Sequence, residues 1–274
     1  MHQTRPFLAV LLAAPAALAA PAPPYGGLPA DYGYVALADM AFAAPLVVAA
    51  DITRALPLKG RQAADVPAGV TRYYVEAAVR ALVSGRADLP VAVTYLVDLP
   101  ADARGKPLRL KGVPVLLLGA LGTAPGEFRL AGPRAQVPRT PENEGRLRAI
   151  LAARVAADAP PAITGIQRAF HVAGSLPGEG ETQIFLRTGD ARPISLNVLR
   201  RPGEMPRWAV ALTELVDDSA APPPRDTLLW YRLACGLPPA LPEAALAGQE
   251  AADAAAARED YRVVLDGLGP CTHG

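Results

Sequence analysis

Apolar residues recur at every second position in three separate stretches of the first half of this chain. Leu46, Val48, Ala50, Ile52, Leu56 and Leu58 alternate with Asp51 and Thr53, with Arg54 as the exception. Tyr73, Val75, Ala77, Val79 and Ala81 alternate with Arg72, Glu76 and Arg80, and Val91, Val93, Tyr95 and Val97 form a third run between Pro90 and Pro100. A period of two predicts half-buried strands. Val113 to Leu121 is continuously apolar, as a strand covered on both faces would be, with Pro114 pushing its start toward an edge or bulge. Phe128 and Leu130 mark a short fifth run that ends by Pro133. Five short strands separated by turn residues predict a small barrel or sandwich. Ahead of them, Val35 to Ala44 predicts one or two helical turns, and residues 20–33, rich in Pro and Gly, predict a flexible leader.

The period then changes. Leu147, Ile150, Leu151 and Val155 share one helical face, with Thr140 as N-cap, Pro141 at the first position and Glu142 and Glu144 complementing the helix dipole. The helix ends before Pro160-Pro161. Ile163 to Val172 predicts a strand. Thr182–Thr188, Pro193–Arg200 and Arg207–Leu215 predict a three-stranded meander with turns at Gly189-Asp190 and Pro202-Gly203.

After the Pro-rich stretch 221–224, Asp226 is expected to cap a helix carrying Leu228, Leu229, Trp230, Leu233 and Cys235, stopped by Gly236 and Pro238. A second helical region runs from Pro242 to about Leu265. Cys235 and Cys271 are the only cysteines, and they lie at the two ends of this stretch. One straight helix would hold them over about 30 Å apart, whereas bridged cysteines need Cα atoms within about 7 Å. A disulfide between Cys235 and Cys271 therefore requires a bend or break, and Gly248 is the expected place.

The N-terminus reads as a secretory signal peptide over residues 1–19: a basic start ending at Arg5, an apolar run from Phe7 to Leu18, and the small-residue exit Ala17-Leu18-Ala19. That run is too short and alanine-rich for a membrane span, and no later stretch is long enough. The expected location is periplasmic or secreted, where paired cysteines persist. Thirty prolines and 24 glycines make about a fifth of the chain, below the range of a low-complexity disordered sequence. A net charge of +1 with no basic stripe argues against nucleic acid as a partner.

The opening strand Ala44-Pro45-Leu46-Val47-Val48-Ala49-Ala50-Asp51, the aromatic strand Tyr73-Tyr74-Val75-Glu76-Ala77, the run Lys111-Gly112-Val113-Pro114-Val115-Leu116-Leu117-Leu118 and the short Phe128-Arg129-Leu130 together resemble the OB-like barrels of netrin and metalloproteinase-inhibitor modules. Those inhibitors carry N-terminal cysteines that this chain lacks, so an inhibitory edge does not follow. The segments Phe170-His171-Val172, Gly178-Glu179-Gly180-Glu181-Thr182 and Leu228-Leu229-Trp230-Tyr231-Arg232-Leu233-Ala234-Cys235 resemble uncharacterised exported proteins of alphaproteobacteria, which implies no active site.

The candidate chemistry is sparse. His171, Ser175, Glu179 and Glu181 contain the residue types of a Ser-His-acid nucleophile, but no G-x-S-x-G elbow surrounds Ser175. Gly178-Glu179-Gly180-Glu181 lacks the Lys-Ser/Thr of a phosphate loop and reads as a hairpin turn. Glu179/Glu181 and Asp217-Asp218 do not have the spacing of a calcium loop, and no metal or other cofactor is implied. Arg187, Arg192, Arg200, Arg201 and Arg207 form a basic cluster that could hold an anion or pair with Asp190, Glu204 and Glu214 on a solvated face. Trp208 and Trp230 read as core anchors. The fold expected is mainly β with α (α+β): an OB-like β-barrel over 34–139, a helix plus antiparallel sheet over 140–220, and C-terminal helices with the disulfide over 221–274. The function expected is a non-catalytic periplasmic binding or protein-interaction module for an envelope protein or small ligand. The alternatives are a hydrolase-type enzyme around His171 and a structural envelope protein.

Overall fold

The computed structural model describes residues 25–212 and 221–272. The expected signal peptide, Glu214, Leu215, Asp217-Asp218 and His273 lie outside the described residues. Among the described residues, ten strands and four α-helices form two sheets with helices packed between and beside them.

The first sheet holds β1 (Leu46–Pro57), β2 (Val70–Ser84), β3 (Ala92–Pro100), β4 (Pro114–Leu121), β5 (Phe128–Leu130) and β6 (Gln136–Pro138). Its order is β3-β2-β1-β4-β5, with β6 also paired to β4, and every ladder in it is antiparallel. A single parallel bridge, Thr94 to Glu127, brings the end strands β3 and β5 together and nearly closes a barrel. This is the partly open barrel expected of the OB-like reading. Register shifts between β1 and β2 at Val47/Val48, Ala49/Ala50 and Ile52/Arg54 supply the bending, because each bulge increases twist and turns the strand. Arg54, out of phase in the sequence, sits at one of these shifts.

The expectation that β1 is half-buried needs correction. Residues 46–50 are buried on both faces. Val48, Ala50, Val115 and Leu117 point into the barrel with Ile52, Tyr73, Val75, Val93, Val97 and Phe128. Val47, Ala49, Leu116 and Leu118 point outward, into a second core. The cause lies outside the barrel. Helix α1 (Tyr34–Ala43), a full ten residues where one or two turns were expected, lies in that second core with α2 (Pro141–Val155). The same core takes the inner face of the second sheet.

That sheet is a four-stranded meander, β10-β9-β8-β7 in order, formed by β7 (Ile163–Ala173), β8 (Gly180–Thr188), β9 (Ile194–Arg200) and β10 (Arg207–Ala211). The strand expected before the three-stranded meander is its fourth member. Ile166, Ala169, Ile184, Leu186, Leu196, Val198 and Trp208 face the shared core.

The caps follow local chemistry. Thr140 accepts from the Asn143 N–H at 3.0 Å, as expected. Asp226 does not cap α3 (Leu228–Gly236). Its φ of 60° turns it into the left-handed region, and Thr227 is the N-cap, accepting from the Trp230 N–H at 3.3 Å. The C-terminal region breaks as expected: a 3-10 turn at Glu243–Leu246, Gly248 at φ 83°, then α4 (Ala251–Leu268). Cys235 and Cys271 stand at disulfide distance, with Cα atoms 5.2 Å apart. Among the described residues no helix is long and apolar enough to cross a membrane.

The expected flexible leader is also corrected where it is described. Leu28 is buried in the barrel core and Tyr32 in the second core. Asn143, itself buried, accepts from the Tyr32 N–H at 3.2 Å and donates to the carbonyls of Ala30 and Pro138 at 3.0 Å each. Arg146 adds an ion pair to Asp31 at 2.9 Å. A Pro- and Gly-rich composition suggested freedom; long-range partners remove it.

Candidate functional site

The structure separates the residues that the sequence offered as a nucleophilic set. Ser175 and Glu179 belong to the hairpin loop between β7 and β8, where the Glu179 carboxylate accepts from the Leu176 N–H at 3.2 Å and from the Ser175 hydroxyl at 3.4 Å. That is turn chemistry. Glu181 accepts from the Gln183 side chain at 2.9 Å. His171 faces the other way, toward α4. Its Nδ1 lies 2.8 Å from the Thr182 hydroxyl, and that hydroxyl bonds Asp260, which is fully buried.

Arg200 joins this cluster. Its Nε donates to Asp260 Oδ1, and an Nη lies 3.5 Å from Glu259. Asp260 thus holds three elements, β7, β8 and β9, against α4, and its charge is answered by Arg200. Gln249 closes the edge of β7 from the same side: its amide donates to the Ala169 carbonyl at 2.9 Å and accepts from the His171 N–H at 3.3 Å. This arrangement anchors a helix on a sheet.

The arginine cluster is also divided. Arg187 pairs with Gly165 across β7 and β8, while Arg200 pairs with Gly180 at the other end of β8, about 23 Å away at the rise of an extended strand. Arg192 pairs with Asp190 at 2.9 Å and Arg207 with Glu204 at 3.2 Å. Arg201 is exposed in the β9–β10 turn, its carbonyl accepting from the Glu204 N–H. No single surface gathers Arg187, Arg200 and Arg201.

A different place gathers more. The barrel's seam opens beyond the Thr94–Glu127 bridge into a groove of ≈ 570 Å³ between β3 and β5, floored in part by β2. The antiparallel pairing sets side chains in rows across its face. Tyr74 and Leu96 stand directly opposite one another on β2 and β3 within it, and Leu56 on β1 continues the row into an adjoining hollow with Leu58 and Gln62. Leu96 is 53% exposed, large for an apolar side chain in mid-strand. The neighbouring row is ionic. Arg72 grips both oxygens of Asp98 at 2.8 Å each and reaches Asp65 at 2.8 Å. Bidentate contact to Asp98 holds the guanidinium firmly protonated, and the bond from Arg72 holds the Asp65 carboxyl below its usual range. On the far wall Arg129 donates to Glu127 at 2.8 Å, which together with the Ala124 and Thr123 N–H groups holds the Glu127 carboxyl low.

Sequence reading missed this groove. Period two grouped Val91, Val93, Tyr95 and Val97 on one face; the structure has the last three inside the barrel and leaves Val91 exposed ahead of the strand. The available signal was Leu96, an apolar residue on the outward phase of β3, facing Tyr74 on the outward phase of β2. What the groove offers is an apolar row beside fixed, internally balanced charges, and an unpaired strand edge. Among the described residues no group of three or more His, Cys, Asp or Glu side chains is placed to hold a metal ion. No protein-family model matches the chain, and no curated protein matches it in sequence.

Proposed function

We propose that this chain is a non-catalytic, exported binding or protein-interaction module and that it binds through the groove between β2, β3 and β5. One observation carries the reading: Tyr74 and Leu96 stand opposite each other on adjacent strands and line a groove of ≈ 570 Å³, with Leu96 half exposed in it and Leu56 extending the row beside it. Pockets that bind are concave and mostly apolar, with a few fixed polar groups, and the strand 2–3 face is where OB-type barrels meet their ligands. Export is supported by the basic, apolar and small-residue order of the N-terminus and by the cysteine pair at disulfide distance.

The test is a photo-crosslinking residue at position 96, in cells, with the same residue at the exposed Val155 of α2 as control. A recurrent adduct from position 96 that is absent from 155 supports the reading. No adduct from 96, or the same adducts from both positions, overturns it.

A further inference from the structure

We propose that the groove takes an extended, uncharged peptide as an added strand on the open edge of β3. The inference rests on the groove being the binding surface and names its occupant.

The main chain leads the argument. Among the described residues β3 is the last strand on its side of the sheet, paired only with β2 apart from the one bridge at Thr94. There the Thr94 N–H donates to the Gly126 carbonyl across the seam at 2.7 Å. Along a strand, main-chain groups turn to alternate sides, so Leu96 and Asp98 aim their N–H and C=O groups into the groove as Thr94 does. Among the described residues no strand pairs with them there. A peptide laid along Tyr95 to Leu99 would find up to four main-chain hydrogen bonds, from the N–H and C=O groups of Leu96 and Asp98, over about 16 Å, the reach of about five extended residues.

This edge is also unguarded. Proteins blunt free edges with Pro, Lys, bulges or a covering element. From Thr94 to Leu99 there is no Pro and no basic residue, and the register with β2 runs from Val70–Pro100 to Ala78–Ala92 without a shift. The one charge, Asp98, is turned into the Arg72 clamp. The same molecule covers the edge of β7 with the Gln249 side chain.

Charge complementarity decides what kind of peptide fits. Each charge lining the groove is already answered within it or at its rim: Arg72 by Asp98 and Asp65, and Arg129 by Glu127. A charged peptide residue would meet no unpaired partner. The next place in the row Leu56–Tyr74–Leu96 falls on the added strand and suits an apolar side chain.

The purified chain, disulfide intact, is used to select from a displayed library of random peptides of about ten residues, with counter-selection on Leu96→Pro. Proline at 96 removes the seam-facing N–H and spares the ladder to β2. The expected result is peptides of alternating apolar and uncharged polar residues that bind the parent chain about tenfold or more tightly than Leu96→Pro. Their binding should shift the amide resonances of Thr94 to Asp98. N-methylation of alternate peptide amides should abolish binding in one phase and leave it in the other. That scan uses the unmodified chain, so it stands even if Leu96→Pro does not fold. No enriched peptide, or binding indifferent to the N-methyl phase, overturns strand addition. If peptides fail while position 96 still crosslinks a recurrent partner, the groove reading survives without its peptide. If both fail, both readings fall.

Discussion

The Thr182 hydroxyl stands between His171 and Asp260, giving its hydrogen to a carboxylate 78 positions away in sequence and lying 2.8 Å from the imidazole Nδ1. With the hydroxyl hydrogen committed to Asp260, the oxygen is left to accept, so Nδ1 carries the proton. Asp260 is fully buried and takes its second bond from Arg200. Removing Asp260 leaves the buried Thr182 hydroxyl without its acceptor and Arg200, a quarter exposed, with Glu259 alone, a loss of about 1–3 kcal/mol. Asp260→Ala should therefore lower the urea midpoint, and Asp260→Asn, which keeps an acceptor, should shift it less. A loss near zero for Asp260→Ala would show that the network is not a stabilising anchor.

Cys235 and Cys271, at disulfide distance, lie 36 positions apart in sequence. Closing a loop of that size stabilises a fold by about 3–4 kcal/mol in the chain-entropy model. The double variant Cys235→Ser/Cys271→Ser should lose that amount in denaturant unfolding, and reductant should bring the parent chain to the same midpoint. A parent midpoint unmoved by reductant would contradict a bridge that bears on stability.

Alkali should unfold this protein through its tyrosines. Burial, with Asp226 adding to it, pushes the Tyr34 phenol up to about 12. Burial likewise raises Tyr32, Tyr73, Tyr95, Tyr231 and Tyr261. An unfolded phenol ionises near pH ~10. A pKa raised in the fold means stability fully present below pH ~10 and lost as pH climbs toward the folded value. Phenolate absorbance should thus rise steeply together with loss of far-ultraviolet dichroism. Smooth ionisation centred near pH 10, with dichroism intact, would contradict it.

Leu116 and Leu96 should separate stability from binding. Leu116 is fully enclosed in the wall between the two cores. Truncation to alanine should cost about 2–5 kcal/mol. Leu96→Ala leaves no cavity and should stay within about 0.5 kcal/mol of the parent, yet weaken capture at the groove. Equal destabilisation by the two changes would mean that Leu96 is a packing residue.

Much of the fold was legible because its signals are local. Strand phase and the Thr140 cap follow from neighbouring residues, and the break at Gly248 follows from the need to bring Cys235 and Cys271 together. What escaped depends on distant partners. Asp260 reads as the polar face of an alanine-rich helix until Arg200 and Thr182 arrive from the sheet. Asn143 reads as first-turn polarity until Tyr32 and Ala30 fold back on it. β6 is three residues ending in proline and offers no period to read. The groove was hidden for a related reason: a strand's outward phase is legible, but which outward residues a barrel seam leaves uncovered is decided by closure.

The wall formed by β1 and β4 bears on the ancestry of the chain. Val48 and Leu117 serve the barrel, while Val47, Ala49, Leu116 and Leu118 serve the helices and the second sheet. A chain cut between residues 139 and 140 would give the barrel strands a greasy outer side and leave the meander without the floor it rests on. Recombination therefore cannot trade the halves as interchangeable cassettes. Any relative that carries this barrel with a different second half should show its β1 and β4 rewritten at every other position.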